Sequence, residues 1–266
     1  MPHYHHLLEA TAEDLLSWAS HSYGPSLAIC TSFQAEGMVI VDMAARLNRE
    51  VRVVTVDTGR MPEETYQMID MVRSRYGIAV ETVLPDAAEV EEMVRQHGTN
   101  LFYREVPQRL LCCQVRKVRP LERKLKEFRA WAVGLRRSQS RDRAAVPKIE
   151  ETDGRLKLSP LADWSRDQVE DYSRRHDVPR HPLYERGYTS IGCAPCTRAT
   201  DAGENERAGR WWWEAEAPKE CGIHFSANGA ARRRVDVLVE EVLRPRRPAV
   251  SFAASVLTPE PALTLD

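Results

Sequence analysis

Short apolar segments alternate with segments of helical periodicity in the first half of the chain, and this alternation constrains the fold more than any other sequence feature. The strand-like segments cover residues 26–32, 51–56, 78–84 and 130–135. The helix-like segments cover residues 38–47, 63–75, 87–97 and 114–128. Strands that alternate with helices in this way form parallel sheets. The sequence therefore predicts an α/β fold, with a parallel twisted sheet and helices on both faces.

The second half of the chain is less regular. Ser165 and Gln168 have the spacing of a capping box, which predicts a helix that ends near Arg175. Residues 179–213 are rich in Pro, Gly, Arg and Trp, a composition that predicts loops wrapped on the core. A short amphipathic segment follows at 234–243.

Three loops follow predicted strands, at residues 31–37, 57–60 and 136–143. Because ligands of such sheets bind beyond the carboxyl ends of the strands, these loops can converge on one crevice. In the loop Ser32–Gly37 the backbone N–H groups and the helix N-terminus can face a phosphate or sulfate. An ordinary strand-to-helix turn is the alternative, and the Gly-Lys-Ser/Thr ending of a Walker A loop is missing.

Charge and length exclude several classes of protein. The 266 residues include 38 basic and 39 acidic side chains, so the near-zero net charge gives no reason to expect nucleic-acid binding. No apolar run approaches the roughly 18 to 20 residues that span a bilayer. The first residues do not resemble a secretory signal, and we expect a cytoplasmic protein. We expect one domain over residues 1–228 and a C-terminal extension, much of it mobile, over residues 229–266.

Four of the six cysteines form two pairs, Cys112 with Cys113 and Cys193 with Cys196. In a reducing compartment such cysteines are better interpreted as metal ligands or catalytic thiols than as disulfides. Two pairs of thiolates can complete the ligand set of an iron–sulfur cluster or of a tetrahedral zinc. Unrelated buried cysteines are the third alternative. Cys30 lies in a predicted strand and is expected to be a core residue.

Cys221 has a histidine, His224, three residues further along. A thiol beside cations can become a nucleophile, although a lone cysteine near a histidine is often incidental. Basic side chains follow the tandem pair, and for Arg116 and Arg119 we expect a solvated helix face.

Arginines are concentrated before Cys221, where Arg207 and Arg210 precede the run Trp211–Trp213. Arginine forks match the oxygens of sulfate and phosphate. The tryptophans could form a wall for an adenine, but we expect them to pack in the core because large aromatic side chains dominate core burial.

Seven segments together resemble one family. They are SFQAEG (32–37), VDTGR (56–60), CCQVRK (112–117), GLRRSQSRDR (134–143), GCAPCTR (192–198), ERAGRWWWE (206–214) and KECGIH (219–224). In this order they resemble the assimilatory adenylyl-sulfate reductases, the iron–sulfur branch of the 3'-phosphoadenylyl-sulfate reductase family. The resemblance covers residues 20 to 225 and implies an adenine nucleotide alpha hydrolase-like fold, related to the PP-loop proteins.

The resemblance also implies the chemistry and the residues that perform it. The reaction is the reduction of adenylyl sulfate by reduced thioredoxin to sulfite and AMP, through a thiosulfonate on Cys221. Cys112, Cys113, Cys193 and Cys196 would hold one 4Fe–4S cluster. Ser32, Phe33, Gln34, Ala35, Glu36, Asp57, Thr58 and Gly59 would hold the nucleotide. Lys117, Arg143, Arg207, Arg210 and His224 would hold the sulfate and phosphate, with Arg136 and Arg137 as further candidates.

Some alternatives stay open at this point. The 3'-phosphorylated nucleotide could be the substrate, or the protein could be an iron–sulfur or zinc redox sensor in which Cys221 is idle. A homo-oligomer is possible. Gly37 stands where the family has an acidic residue, so we expect a more flexible loop there. In the family the cysteine motif lies close to the carboxyl terminus, whereas 42 residues follow His224 here.

Overall fold

A six-stranded sheet with the strand order β3-β2-β1-β4-β6-β5 forms the centre of the molecule. The structure is a computed structural model, and it describes residues 4–152, 154–214 and 229–243. The strands are β1 (Leu27–Cys30), β2 (Arg52–Val56), β3 (Val80–Val83), β4 (Ala130–Val133), β5 (Ile149–Thr152) and β6 (Arg155–Leu158). The pairs along the order from β3 to β6 are parallel, as predicted.

The edge hairpin β5–β6 was not predicted from the sequence. Strand β5 runs antiparallel to β6, so the predicted parallel sheet is mostly parallel with one antiparallel edge strand. IEET has three polar residues and one apolar residue, RLKL has two of each, and each strand is only four residues long. Strands this short and this polar have no distinctive apolar run.

Eight α-helices surround the sheet in the described residues. They are α1 (Ala12–Tyr23), α2 (Ala35–Leu47), α3 (Glu63–Tyr76), α4 (Ala87–His97), α5 (Val106–Cys113), α6 (Arg119–Leu125), α7 (Arg166–Arg175) and α8 (Gly229–Leu243). The predicted capping box starts α7, where the Ser165 hydroxyl accepts from the Gln168 amide and the Gln168 side chain accepts from the Ser165 amide. No helix among the described residues is both long enough and apolar enough to cross a membrane.

Strand residues alternate between two packed layers, as the two-residue period of a strand requires. Leu27 and Ile29 of β1 pack in the layer that contains α1 and α2. Between them, Ala28 faces the opposite layer, where Leu121 and Leu125 of α6 cover the sheet. The predicted arrangement of helices on both faces is therefore confirmed.

The predicted basic helix over residues 114–128 is part of a longer, interrupted helix. Helix α5 continues through a π-helical turn, Gln114–Val118, directly into α6. Pro120 has no N–H to donate to the carbonyl of Arg116, so the regular α-helical hydrogen-bond pattern cannot continue there. In the π turn the Arg119 amide instead donates to the carbonyl of Gln114. Such turns often mark functional sites, and this one directly follows the cysteine pair.

The C-terminal helix α8 packs on the rest of the protein. It contacts α4 and α5, and Val242 is buried in the same apolar group as Met93 of α4 and Leu111 of α5. The predicted amphipathic segment 234–243 lies within this helix. The remainder of the extension predicted over residues 229–266, from residue 244 onward, lies outside the described residues.

Candidate active site

A cavity opens at the carboxyl ends of the central strands. The three predicted loops were expected to meet at this edge of the sheet. Strand β1 contributes Cys30 and the following Ser32, strand β2 contributes Val56, and strand β4 leads to Gly134 in the wall. Residues 190–192 and Arg207 close the cavity from the second half of the chain. The two halves of the sequence therefore form one site.

The loop after β1 is a tight turn held by Thr31. The Thr31 hydroxyl accepts a hydrogen bond of 2.8 Å from the Phe33 amide, and Phe33 has a φ of 59°. A positive φ is unusual for a bulky residue and indicates a backbone fixed by its surroundings. The Phe33 side chain is fully buried in the core, so this predicted nucleotide contact can offer only its backbone to a ligand.

Other predicted residues of this loop divide between cavity wall and scaffold. Ser32, Gln34 and Glu36 line the cavity, whereas Ala35 is not part of its lining. The Ala35 amide donates to the hydroxyl of Tyr184 at 3.0 Å. Tyr184 therefore occupies one of the N–H groups at the start of α2, a role that the sequence did not indicate.

Gly37, where a more flexible loop was predicted, has Thr31 close to the position of its missing side chain. It lies in the first turn of α2 and is buried. A Cβ at this position would lie 2.3 Å from the Thr31 hydroxyl oxygen, and a Cβ on Gly134 would lie 2.7 Å from the Gly37 nitrogen. The two glycines therefore allow the loop after β1 and the loop after β4 to pack closely.

Arg136 and Arg137 differ in position from the other predicted anion ligands, because neither is part of the cavity lining. Arg136 is only 1% exposed and its guanidinium donates to Glu36 at 2.8 Å and to Glu206 at 3.0 Å. It therefore neutralises two carboxylates that do line the cavity. Arg137 forms an ion pair with Asp163 on the outside.

Within the part of the chain that the structure describes, four cationic side chains line the cavity, namely Lys117, Arg143, Arg207 and Arg210. The three arginines are each less than 9% exposed. Arg210 donates to the carbonyl of Ile191 at 3.3 Å, and Arg207 donates to the hydroxyl of Ser190 at 3.4 Å. The Nε atom of Arg210 is buried and has no hydrogen-bond partner within the described part of the chain. Arg136 pairs with Glu36 and Glu206 of the wall, so these two carboxylates do not cancel the positive charge of the four cations. The cavity therefore suits a small polyanion.

Residues 57–59 lie beside the cysteine site and do not line the cavity. The Asp57 carboxylate accepts from the Gly59 amide at 2.7 Å and fixes the turn. The Thr58 hydroxyl lies 3.2 Å from the sulfur of Cys193. The carbonyl of Thr58 accepts from Arg116 at 2.8 Å, so the expectation of a solvated Arg116 was wrong. None of the three predicted nucleotide contacts in this loop is part of the cavity lining.

The four paired cysteines come together beside the cavity. Cys112 and Cys113 end α5, whereas Cys193 and Cys196 flank a short turn, and all four pack in one apolar group. Burial raises the pKa of Cys112, and the neighbouring thiols Cys113 and Cys193 raise it further. Burial raises the pKa of Cys196 to about 12, with Cys193 and Cys113 as further causes.

This donor set fits a cationic iron–sulfur centre. Four neighbouring thiols cannot all ionise in an apolar setting unless a cation offsets their charge, and a coordinating metal deprotonates thiols outright. Among residues 4–152, 154–214 and 229–243, no three Cys, His, Asp or Glu side chains are close enough together to hold a single ion. Tetrahedral zinc needs four sulfurs at about 2.3 Å from one point, whereas a cluster presents several irons to its four thiolates. Four neighbouring thiols suit either centre, and both stay open at this point.

Trp211 contacts both Arg210 of the cavity wall and Arg109 of α5, the helix that ends in the tandem cysteines. The sequence did not indicate this connection. The Trp211 ring lies between the guanidinium groups of Arg210 and Arg109, each 4.5 Å from the ring centre. Arg109 of α5 also makes a buried ion pair with Glu214, with contacts of 3.0 and 2.9 Å. The expected packing role is confirmed for Trp211, which is 1% exposed, while Trp212 is 40% exposed. No local pattern could pair Arg109 with a residue 105 positions away.

Cys30 lies at the boundary between core and cavity. It packs against the α6 layer, as expected of a core residue, but it also lines the cavity. Burial raises the pKa of Cys30 to about 12, so this thiol stays protonated at neutral pH. The predicted nucleophile Cys221 and the predicted ligand His224 lie outside the described residues.

Comparison with known proteins gives a consistent family assignment. The chain is 45% identical over 218 residues to an adenosine 5'-phosphosulfate reductase of Allochromatium vinosum, covering 81% of this chain and 85% of the relative. It is 43% identical over 226 residues to the Pseudomonas aeruginosa protein of the same name, covering 82% and 84%.

A solved structure shares the fold. The phosphoadenylyl-sulfate reductase of Candida auris, crystallised as a phosphate complex, has a TM-score of 0.60 and 31% identity, covering 71% of this chain and 91% of that one. The α/β fold expected from the resemblance is confirmed. The family model described as the phosphoadenosine phosphosulfate reductase domain matches residues 26–199, more than half of the chain. The chain therefore belongs to the phosphoadenosine phosphosulfate reductase family.

Proposed function

We propose that this protein reduces adenylyl sulfate to sulfite and AMP, with reduced thioredoxin as the electron donor, in cytoplasmic sulfate assimilation for cysteine biosynthesis. The single observation that supports this most is the wall of Lys117, Arg143, Arg207 and Arg210 around a cavity at the strand ends. Adenylyl sulfate is a small anion, and its charge is opposite to that of these side chains. The relatives named adenosine 5'-phosphosulfate reductase support the same substrate.

The proposed reaction has two steps. The Cys221 thiolate attacks the sulfur of the sulfuryl group, the bond from sulfur to the phosphate oxygen breaks, and AMP leaves. A thiolate of the reduced dithiol then attacks the Cys221 sulfur of the thiosulfonate and releases sulfite. The second thiol of the dithiol resolves the mixed disulfide, which returns Cys221 as a thiol. The dithiol supplies both electrons, so no electron has to come from another centre.

The cationic side chains have a defined part in this reaction. Negative charge develops on the phosphate oxygen as AMP leaves and remains on the sulfonate oxygens, and preorganised cations stabilise it best in a site that excludes water. Arg207 and Arg210 are held by contacts with Ser190 and Ile191 before any ligand binds. His224 would add a further contact from the segment that contains Cys221.

Cys112, Cys113, Cys193 and Cys196 would hold a 4Fe–4S cluster in the proposed enzyme. When bound, the cluster supplies charge and rigidity beside the substrate cavity. Lys117 lines the cavity, and its charge partly opposes the rise in the pKa of Cys196 that burial causes, so it lies close to both regions. We therefore propose that Lys117 orients the sulfate oxygens next to the cysteine site.

The 3'-phosphorylated nucleotide is the second candidate substrate, because the solved relative from Candida auris is named a phosphoadenylyl-sulfate reductase. That substrate carries one more phosphate, which would need a further cationic contact on the ribose side. Sulfite release from equal concentrations of the two nucleotides distinguishes the candidates. We expect adenylyl sulfate to be preferred.

The decisive experiment uses the purified protein under anaerobic conditions with adenylyl sulfate and reduced thioredoxin, and measures sulfite and AMP. We expect equal amounts of both products from the parent protein and none from Cys221→Ser. Arg174→Met on the exposed side of α7 is the control, and we expect it to release sulfite at the parent rate.

Two outcomes would contradict the proposal. Absence of sulfite from a parent protein with a full complement of iron would exclude the reductase. Unchanged sulfite release by Cys221→Ser would exclude Cys221 as the nucleophile. It would favour the alternative of a redox sensor in which Cys221 is idle.

A further inference from the structure

Helix α8 has one apolar face, and this face is directed at the protein. Val235, Leu238, Val239 and Val242 follow the i, i+3, i+4, i+7 spacing that places side chains on one side of a helix. Val235 is 9% exposed and Val242 is 4% exposed, whereas Val237 between them is 53% exposed. The helix is therefore docked through a specific face.

The surface under α8 is the apolar group that contains the paired cysteines. Val242 is buried in this group together with Met93 of α4 and Leu111 of α5. Leu238 and Val239 pack against the same group, as do Cys112 and Cys113. Helix α8 thus covers α5, the helix that ends in the tandem cysteines.

Helix α8 lies beyond the residues that the family model matches. The matched domain ends at residue 199, and α8 begins at Gly229. The family-matched residues alone would leave this side of α4 and α5 without the cover that α8 provides. The packing of Val242 therefore attaches a helix outside the matched residues to the helix that carries the tandem cysteines.

We propose that α8 is the outer wall of the cysteine site, where it keeps water and dissolved oxygen away from a cluster held by Cys112, Cys113, Cys193 and Cys196. This inference rests on the cofactor of the proposed function. The apolar shell around a metal site controls solvent access to it, and solvent exposure also affects the reduction potential of iron–sulfur clusters. Val242 and Leu238 are positioning residues in this wall.

Val242→Asp and Val237→Asp test the wall with the same substitution on opposite faces of one helix. Both proteins are purified anaerobically with their cluster, iron and sulfide are measured, and the decay of the visible cluster absorbance is followed in air-saturated buffer. We expect Val242→Asp to lose its cluster about ten-fold faster than the parent protein. We expect Val237→Asp to decay at the parent rate, because its side chain is already solvated.

A parent-like decay of Val242→Asp would overturn the proposal, and so would an equal acceleration in both variants, since that would be an effect of charge alone. If Val242→Asp does not fold, Val242→Ala replaces it and is expected to decay faster than Val237→Ala.

A second readout does not depend on the cluster. Hydrogen exchange of residues 106–113 in the cluster-free protein should be faster in Val242→Ala than in Val237→Ala, and equal rates would contradict the packing role. A parent protein without iron would contradict the proposed cofactor, whereas an iron-loaded parent with equal decay rates in the two alanine variants would contradict only the wall.

Discussion

The nucleotide cavity and the cysteine site are neighbours, but they are stabilised by different interactions. Polar contacts fix the cavity, as in the pairing of Arg136 with Glu36 and Glu206. Apolar side chains such as Leu111 and Val115 surround the cysteines. A site for an anion needs fixed cations that the ligand can reach, whereas an apolar shell limits the access of solvent to a metal centre held by cysteines. Substitutions in the first region should therefore lower binding and rate, and those in the second should lower cofactor retention and stability.

The largest effect is expected where the two regions meet, at the ion pair of Arg109 with Glu214. The side chains are 1% and 6% exposed, and Arg109 also packs on Trp211. Removal of one partner from a buried pair leaves a charge without compensation and costs about 3–5 kcal/mol. We expect Arg109→Met to lower the free energy of unfolding by this amount in denaturant titrations, and to lower iron content and sulfite release together.

Arg119→Met is the control for Arg109→Met. Arg119 pairs with Glu89, but these side chains are 35% and 20% exposed. Pairs of this kind contribute about 0–1 kcal/mol. If the two variants lost equal stability, Arg109 would not connect the two regions in the way that the structure indicates.

The next effect tests the cavity alone. Arg207 lines the cavity and is not among the residues packed around the cysteines. Loss of a preorganised charge donor typically lowers the rate about 100- to 1000-fold. We expect Arg207→Met to lower kcat/KM for adenylyl sulfate by about this factor with iron content unchanged. Arg174→Met on α7 is the control, and because its side chain is 77% exposed it should change neither kcat/KM nor iron content. A loss of iron in Arg207→Met would show that the cavity and the cysteine site are not separable.

A pH-dependent effect is expected on the scaffold behind the cavity. His181 is 1% exposed; its Nδ1 accepts from the Leu183 amide at 3.3 Å, and its other nitrogen contacts the Thr65 hydroxyl at 3.1 Å. This arrangement holds the turn that contains Tyr184, the partner of the Ala35 amide. Burial lowers the pKa of His181 to about 4, against the opposing charge of Glu64.

Because this folded-state pKa lies below the ordinary value of about 6.5, the unfolded chain binds the proton first as the pH falls. The stabilisation by neutral His181 is therefore complete above pH 6.5 and is lost toward pH 4, at a cost of about 3 kcal/mol. Thermal unfolding from pH 8 to pH 4 should show this loss in the parent protein and a smaller one in His181→Gln. Parallel pH profiles of the two proteins would contradict the assignment.

The sequence predicted which chain segments meet at the site better than it predicted which way their side chains point. Alternating strands and helices placed the loops after β1 and β4 at one sheet edge, and the structure confirms this. Phe33 could not be distinguished from a ligand contact, because its direction depends on a positive φ fixed by Thr31. Asp57–Gly59 likewise follow a central strand but turn toward Cys193.

Long-range polar pairing was beyond sequence reasoning for a different reason. Arg136 is one of two adjacent arginines in an apparent anion motif, yet its contacts with Glu36 and Glu206 form only after distant segments pack. Nothing in the local sequence distinguishes it from Arg137, which pairs with Asp163 outside the cavity. Charge type can therefore be inferred from sequence, whereas the partner of each charge requires the fold.

The smallest expected effect concerns Thr58, which belongs to a loop predicted for the nucleotide but contacts the cysteine site. Its hydroxyl lies 3.2 Å from the Cys193 sulfur, and Thr58 is 1% exposed. Thr58→Val keeps the shape and removes the hydrogen bond. We expect iron retention against a chelator to fall about ten-fold, the low end for partners of metal ligands, while KM for adenylyl sulfate stays within about two-fold. Thr82→Val, on the exposed face of β3, should change neither quantity. A raised KM with unchanged iron retention would instead place Thr58 in the nucleotide cavity and remove the boundary between the two regions at this loop.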